Sequence, residues 1–405
     1  MFVGLSKKID DKLPFSAARG YFRVLPESFA VLALISVLTF IAQGPILMYM
    51  QLYLMAKGAT PFVISLAISL TGLGLFLGSS LWGAASFRFS RRILLAASLL
   101  SDGLLLAALS LSISIELMLG VMFLRSLAIS GLVPLTTAAA SEASDPATRG
   151  RSVAFMTSAR SLGWIIGSSV GGLLLDSFGF RPALLVIAVL PTVSAVLTIA
   201  LADNSPQPDA KQPRMRTQQL IYPMYSLYLA TLLRQIGLTG AVALIYVYFA
   251  SFGISAASMG LAQALNPITQ LVGLFLVGRI ADRIGRRPIF RLGFGISCLA
   301  PLTFLLSRSV IALALGWMLV GLSFSLMYVG TTAHIGDRIA RSHQGIAFGV
   351  FESSRGLGTV LGPLLAGLLA NFVGMEMMLL VMFAITVLGV LMCSLKVFNR
   401  REFNQ

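Results

Sequence analysis

Long runs of apolar residues dominate the chain, and short polar segments separate them. The runs lack the two-residue alternation of a half-buried strand, and most reach the ~20 residues that a helix needs to cross a bilayer. Only helices and closed barrels satisfy every backbone hydrogen bond in hydrocarbon, so these continuous runs favour helices. The pattern predicts twelve spans, at residues 28–54, 61–84, 92–112, 116–140, 150–176, 183–202, 220–250, 256–278, 288–307, 309–335, 345–370 and 376–397.

One polar, proline-rich segment at residues 203–219 divides the twelve spans into two sets of six. We therefore expect an N-terminal bundle over 28–202 and a C-terminal bundle over 220–398. Residues 1–27 carry five Lys or Arg and no apolar run of their own, which indicates a basic tail and not a cleavable signal peptide. Residues 399–405 form a short C-terminal tail.

Composition excludes a water-soluble fold for this chain. Hydrophobic residues make up 57% of the 405 residues and charged residues only 11%, whereas soluble domains contain about 45–50% apolar residues. The mean hydropathy of +0.89 agrees with a chain that lies mostly in lipid. The predicted fold class is therefore an all-α membrane protein.

The distribution of charge predicts the orientation of the spans. With both termini and the linker in the cytoplasm, the inner segments carry 23 Lys or Arg and the outer loops only three, Lys57, Arg181 and Arg308. This bias is typical of a multi-pass cell-membrane protein with both termini cytoplasmic. The net charge of +15 then faces anionic lipid headgroups. Nucleic-acid binding is disfavoured, because it expects one clustered basic face on a folded domain.

A shift of 195 residues brings the two sets of spans into register, which indicates an internal repeat. Two six-helix bundles made from parallel repeats are typical of transporters that bind their substrate near the bilayer midplane. The matching pairs are Gly83 and Gly278, Arg88 and Arg283, Arg91 and Arg286, Arg92 and Arg287, Gly150 and Gly345, Arg160 and Arg355, Gly163 and Gly358, Gly167 and Gly362, and Gly172 and Gly367.

Five of the ten residues in the segment GRIADRIGRR, residues 278–287, are charged, in a chain whose charged fraction is 11%. This segment resembles the signature loop of the major facilitator superfamily, which joins the second and third helices of each half. The resemblance covers essentially the whole chain after the N-terminal tail. It implies two six-helix bundles and secondary transport, similar to drug or metabolite efflux. The first-half copy, GAASFRFSRR, departs from the pattern at Phe87 and Ser90.

This loop predicts a gate on the cytoplasmic side. We expect Asp282 to hold the two bundles closed there, against the N-terminal end of a neighbouring helix. By symmetry with the superfamily's first-half loop, the resemblance implies that this helix is the fifth span, near residues 150–153. Glycines allow close helix packing and a tight turn. A basic loop that merely follows the charge bias would explain the last two arginines equally well. The gate residues are Gly278, Asp282, Arg283, Gly285, Arg286 and Arg287.

Glycine rows on the fifth and eleventh spans predict close packing between helices, because small residues four apart let two backbones approach. The fifth-span row resembles the superfamily's antiporter motif, although Ser168 stands where that motif has proline. Generic close packing is the alternative interpretation. The packing residues are Gly163, Gly167, Gly171, Gly172, Gly358, Gly362 and Pro363.

Six charged residues lie well inside predicted spans, away from the span ends, where each is costly unless it is paired or hydrated. Asp102 and Arg125 lie about equally far from the loop that joins their spans, so we expect an ion pair. Glu352 and Arg355 are three residues apart on one helical face. Arg160 is the repeat mate of Arg355. The sixth residue is Arg234.

The resemblance implies that the first, fourth, seventh and tenth helices line the transport cavity and that the second, fifth, eighth and eleventh flank it. On that basis we expect a set of polar side chains to bind substrate. Hydrogen bonds that only hold the helices together are the alternative for the glutamines. The set is Gln43, Arg125, Arg234, Gln235, Gln263, Asn266 and Gln270.

Coupling to a proton would require a carboxyl that binds and releases it near neutral pH. Glu352 is the better candidate, since Asp102 is expected to stay ionised beside Arg125. Arg355 and Arg160 complete the expected coupling set. A fixed structural pair between Glu352 and Arg355 is the alternative.

The sequence therefore favours a secondary transporter that works by alternating access, with proton-coupled efflux of a drug-like compound or metabolite as the leading function. Import of an organic anion is the runner-up, because four arginines in the spans outnumber two acids. A non-transporting membrane sensor or scaffold is the alternative of another class. We find no nucleotide-binding loop, catalytic triad or metal cluster, so we expect no enzyme activity, no cofactor and no metal. We expect a monomer.

Overall fold

The computed structural model describes residues 27–86, 88–112, 114–142, 144, 149–200, 224–284, 286–306, 308–339 and 343–394. Within them, twelve helical stretches are long and apolar enough to cross a membrane, so the predicted all-α fold with twelve spans is confirmed. The linker 203–219, the tail 399–405 and nearly all of the N-terminal tail lie outside the described residues. The proposed domain limits therefore stay predictions.

The first six spans are built from eight helices and the last six from seven. The helices of the first half are Glu27–Gln43, Ile46–Ala56, Pro61–Ala85, Arg91–Leu111, Ile115–Ile129, Leu132–Glu142, Arg149–Phe178 and Phe180–Ala200. The helices of the second half are Tyr225–Val242, Ile245–Ala250, Ala256–Ile284, Arg286–Leu306, Val310–Arg338, Gln344–Val373 and Met375–Ser394.

Several of these helices begin where the sequence supplies a hydroxyl cap. Thr60, Ser90, Ser114 and Ser309 each stand directly before a helix, and each side chain accepts a hydrogen bond from the backbone N–H three residues later. Such a cap satisfies one of the backbone donors left free at a helix start. Short polar loops between apolar runs are therefore enough to set these helix starts.

The first and seventh spans are each broken into two helices. The first breaks at Gly44 and Pro45, because proline cannot continue the helical hydrogen bonding. The seventh breaks at Ala243 and Leu244, where the sequence has no proline. The fourth span also breaks, between the helices ending at Ile129 and starting at Leu132. Breaks expose backbone polar groups that other helices must satisfy.

The spans form two bundles, and two pairs of helices make the most extensive contact between them. The second span packs on the eleventh, and the fifth packs on the eighth. Within each bundle the corresponding helices pair alike, for example the first with the fifth and the seventh with the eleventh. This matches the repeat predicted from the 195-residue shift.

One end of the molecule holds the helix ends that adjoin the two tails and the linker, and we call it the terminal face. We call the opposite end the far face. Toward the far face, one apolar core joins both bundles, with Tyr49 and Leu106 from the first and Phe249 and Trp317 from the second. Toward the terminal face each bundle has its own core. The two bundles are thus closed together at the far face and separate toward the terminal face.

Candidate functional site

The contact between the bundles at the far face includes a glutamine that repairs a helix break. Gln51, fully buried on the first span, donates from Nε2 to the Val242 carbonyl at 2.9 Å and accepts from the Tyr246 N–H at 2.9 Å. Those two backbone groups are four residues apart, the spacing of a helical hydrogen bond. The Gln51 amide therefore bridges the break of the seventh span and ties it to the other bundle.

Two further hydrogen-bonded contacts close the far face. Gln263 donates from Nε2 to the Gly44 carbonyl at 3.0 Å, so the eighth span satisfies the break of the first. The Asp176 carboxylate accepts the backbone N–H groups of Ala256 (3.2 Å) and Ala257 (2.8 Å) at the start of the eighth span. An acid at a helix N-terminus meets both unpaired N–H groups and the positive end of the helix dipole.

The glycine rows contact helices at very close range. A Cβ at Gly163 or Gly167 would collide with backbone carbonyls of the first span, inside the first bundle. A Cβ at Gly358 or Gly362 would meet the seventh span, inside the second bundle. Gly171 packs on Pro45. These contacts set how closely the helices of each bundle can approach.

Gly172 differs from the other glycines of the fifth-span row because it faces the opposite bundle. Its added Cβ would collide with the Ala256 carbonyl and lie 2.9 Å from the Ala257 Cα. Gly260, one turn further along the eighth span, would likewise collide with the Ser168 carbonyl. Close approach of the two bundles at the far face thus depends on the absence of side chains on both helices.

Below this closed end, charged and aromatic side chains of both bundles gather between them. Arg355 forms an ion pair with Glu352, Nη1 to Oε2 at 2.8 Å, and its guanidinium lies over the rings of Phe324 (5.1 Å) and Tyr328 (5.7 Å). Arg160, from the other bundle, is close enough for its charge to act on the Tyr328 hydroxyl. We call these five residues the inter-bundle cluster.

The inter-bundle cluster lies at one depth. Arg160, Tyr328 and Arg355 are each 10 or 11 residues from the end of their helix at the terminal face. At the helical rise this is roughly 15 Å from that face. The Glu352 side chain is 49% exposed there. A charged group so exposed within a membrane span faces water, not lipid.

Arg125 and Gln43, two of the predicted binding residues, lie inside the first bundle. Arg125 is 4% exposed, and its Nε lies 2.9 Å from Oδ1 of the fully buried Asp102, so the expected ion pair is present. Gln43 completes this group: its Nε2 donates to Asp102 Oδ2 at 2.9 Å, and its Oε1 accepts from Arg125 Nη2 at 2.6 Å. Buried charges that are paired and hydrogen-bonded in this way are tolerated.

Arg234 is likewise buried inside one bundle, the second, but its hydrogen-bond partner is a hydroxyl and not a carboxylate. It is 1% exposed, donates from Nη2 to the Ser323 hydroxyl at 3.0 Å, and lies 5.9 Å from the Phe294 ring centroid. Within the part of the chain that the structure describes, its Nε has no hydrogen-bond acceptor. The charge of Arg355 acts on it across the bundle. Arg234 is therefore a buried cation that lies behind the inter-bundle cluster.

The remaining polar residues of the predicted binding set are partly buried. Gln235 donates to the Thr359 hydroxyl at 3.3 Å, between the seventh and eleventh spans. Asn266 and Gln270 are half-buried on the eighth span, and the Gln270 carbonyl accepts from Ser325 of the tenth span at 2.8 Å. The Gln235 side chain thus makes a contact between neighbouring helices.

The predicted gate is not described in atomic detail. Gly285 lies outside the described residues, as do the side chains of Asp282, Arg283, Arg286 and Arg287. The backbone of Gly278 to Arg283 belongs to the helix Ala256–Ile284, and that of the two later arginines to the helix Arg286–Leu306. The gate stays a prediction.

Three residues of the site, Gln51, Asp176 and Tyr328, were not among those predicted from the sequence. Gln51 is a polar residue within a predicted apolar span, and its repeat mate is Tyr246, the residue whose N–H it binds. That coincidence was a usable signal. Asp176 at the end of a span and Tyr328 within one carry no comparable signal, because only the packing of the two bundles shows what each one faces.

Comparisons with known proteins agree with this architecture. The sequence model of the Major Facilitator Superfamily matches residues 32–229 and 227–404. Multidrug resistance protein MdtG of Enterobacter lignolyticus (strain SCF1) is 26% identical over 361 residues, covering 83% of this chain and 84% of that protein. Multidrug resistance protein 1 of Bacillus subtilis (strain 168) is 25% identical over 293 residues, covering 70% and 74% respectively.

Solved structures share the fold at low sequence identity. The crystal structure of the nucleoside transporter NupG matches with a TM-score of 0.79 at 15% identity, covering 93% of this chain and 100% of that one. A bacterial homologue of the human lysosomal transporter Spinster, in its inward-facing and unoccupied conformation, matches with a TM-score of 0.73 at 14% identity, covering 90% and 95%.

Proposed function

The chain belongs to the major facilitator superfamily and is a multi-pass membrane transporter; from that premise we propose that it exports a drug-like compound or metabolite by alternating access, in exchange for protons. Relatives named as multidrug resistance proteins support export. Substrate would enter between the bundles, near the bilayer midplane, where transporters of this architecture bind it.

The observation that carries alternating access is the unequal contact between the bundles. They share one core at the far face and have separate cores toward the terminal face, with the inter-bundle cluster between these two regions. Release of the Asp176, Gln51 and Gln263 contacts and closure of the terminal face would expose the cluster to the other side. The charge bias supports a cytoplasmic terminal face and both termini inside.

Glu352 is the proposed proton carrier. It is the half-exposed carboxylate of the inter-bundle cluster, and its ion pair with Arg355 spans only one helical turn. Protonation would end that pair and release the Arg355 guanidinium to bind another acceptor. Asp102 is less suited, because it is fully buried and held by two partners.

Glu352→Gln is expected to abolish substrate accumulation driven by a pH gradient while substrate exchange at equal concentrations continues, because glutamine carries no titratable proton. The measurement is uptake by everted vesicles with and without an imposed gradient. Glu376→Gln is the matched control, since that acid is 57% exposed at the far face, away from the cluster. Gradient-driven accumulation at the wild-type rate in Glu352→Gln would show that Glu352 is not the carrier.

Asp282→Asn is expected to favour the state open at the terminal face, because the neutral amide would hold the helix of the opposite bundle less strongly. Turnover should fall while substrate affinity from that side persists. Alkylation of cysteines placed near the terminal face measures the change, and equal rates in wild type and variant would contradict the gate. This experiment tests the predicted loop directly.

Import of an organic anion is the second candidate function. The inter-bundle cluster and the nearby Arg234 together contain more arginines than acids, which supports binding of an anion. The direction of transport separates the two candidates: everted vesicles should concentrate the substrate of an exporter, whereas right-side-out vesicles should concentrate that of an importer. A panel of cationic and anionic compounds, tested with and without a pH gradient, covers both.

A further inference from the structure

We propose that the inter-bundle cluster binds the anionic group of an organic acid whose aromatic or apolar body lies against Tyr328 and Phe324. The acid group is of the carboxylate, sulfonate or phosphonate class. This inference rests on the proposed transport function and names the substrate class of that site. It concerns binding, and it holds for either direction of transport.

The first argument is the balance of charge. Among the described side chains, Arg355 lies over the Tyr328 ring at 5.7 Å, Arg160 of the first bundle lies at the same depth, and Arg234 is buried in the second bundle. One carboxylate, Glu352, belongs to the same group. Two positive charges are left without an acid. Uncompensated cations within a membrane are expensive, and in transporters they mark substrate or ion sites.

The second argument is unused hydrogen-bonding capacity. Arg160 donates to two neutral hydroxyls, those of Thr137 (3.1 Å) and Thr157 (3.0 Å), which leave its charge unbalanced. Arg355 uses only Nη1 for Glu352, and its buried Nε finds no acceptor among the described residues. A guanidinium offers five N–H donors in a planar fork that fits two oxygens of one anionic group. An anion would satisfy these donors and balance the charge together.

The third argument disfavours a cationic substrate. The rings of Phe324 and Tyr328 stack at 5.2 Å with an angle of 15° between them, and the Arg355 guanidinium already lies over both. A second cation would find these ring faces occupied and would be repelled by Arg355. An aromatic anion could place its ring on the free edge of this stack and its charge on the arginines.

The position of the arginines links binding to closure. Arg160 belongs to the first bundle, whereas Arg355 belongs to the second. An anion held by both would bind more tightly when the bundles approach each other, so it would stabilise states in which the site is enclosed. Loss of a proton from Glu352 would restore its pair with Arg355 and displace the anion, so proton and anion would bind together at this site. Such coupling drives co-transport of proton and anion, as in the second candidate function, and not their exchange.

The test uses three bicyclic probes of similar size: 2-naphthalenesulfonate (anion), N-methylquinolinium (cation) and 2-naphthalenemethanol (neutral). Equilibrium dialysis measures their binding to the full chain in nanodiscs of zwitterionic lipid, with empty nanodiscs subtracted. We expect the anion to bind at least tenfold more tightly than the cation. Equal or tighter binding of the cation would overturn the proposal.

Variants with opposite expected effects separate binding from misfolding. Arg160→Gln and Arg355→Gln should each weaken binding of the sulfonate at least tenfold. Neither variant should change binding of the neutral probe. Glu352→Gln should strengthen it severalfold, because it removes the competing carboxylate, and a misfolded protein would not gain affinity. Arg308→Gln is the control, since that arginine is 60% exposed at the far face. Unchanged affinity in Arg160→Gln would also overturn the proposal.

Transport of the same probes into proteoliposomes distinguishes this inference from the proposed function. Transport of the cation without binding of the anion would contradict the inference and leave the transporter function intact. Binding of the anion at the cluster, with transport of none of the probes, would support the site and contradict the proposed function.

Discussion

Asp102→Asn is expected to lower the free energy of unfolding by about 3–5 kcal/mol, the usual cost of removing one partner from a buried ion pair. Asp102 is fully buried and Arg125 is 4% exposed, so the arginine would keep its charge without a carboxylate. Gln43 contacts both partners and would lose the charge on one of its two hydrogen bonds. The measurement is unfolding of the purified protein in detergent micelles.

The double variant Asp102→Asn with Arg125→Gln is the informative companion. It removes both charges, so most of the lost stability should return, because no charge is left uncompensated in the bundle. Arg308→Gln breaks an exposed ion pair with Glu376 and should leave the unfolding midpoint unchanged. A double variant as unstable as Asp102→Asn alone would mean that the pair does not stabilise the bundle through its charges.

Gly172→Leu is expected to reduce transport at least tenfold with little loss of folded protein. A leucine side chain would collide with the Ala256 carbonyl of the opposite bundle, so the far face could no longer close. The collision lies between the bundles, and each bundle can keep its own packing. The protein should therefore accumulate in the state that is open at the far face.

Spin labels at Lys57→Cys and Ser251→Cys, one on each bundle at the far face, measure this change in a background without Cys298 and Cys393. Gly172→Leu should lengthen the distance between the labels. Gly120→Leu is the matched control, because a Cβ there meets no atom within 4 Å. Gly167→Leu should instead unfold the first bundle, where it would collide with the Ile41 carbonyl. A label distance unchanged in Gly172→Leu would contradict the proposed closure.

Much of the fold was predictable because a bilayer leaves few choices. Each span must satisfy its own backbone hydrogen bonds, so the twelve apolar runs predicted the twelve helical spans. The break of the first span at Gly44 and Pro45 was also predictable, since it follows from local chemistry. The break of the seventh span was not, because the Gln51 amide that bridges it comes from the other bundle.

The candidate site was only partly predictable. The six ionisable residues in the spans stood out in the sequence because each is costly in hydrocarbon. The ion pair of Asp102 with Arg125 followed from their matching depth, and that of Glu352 with Arg355 from helical spacing. Arg234 was expected to face the substrate, but it lies inside the second bundle with Ser323.

By itself, the sequence determined the membrane class, the twelve spans, the two related halves and the depth of each buried charge. These depend on hydropathy and on helical rise, which are local properties. The tertiary structure decided which face of each helix is buried: Arg125 and Arg234 lie in bundle interiors, whereas Glu352 is 49% exposed. The physical reason is that helix rotation depends on close contacts at glycines such as Gly172, whose partners are distant in the sequence.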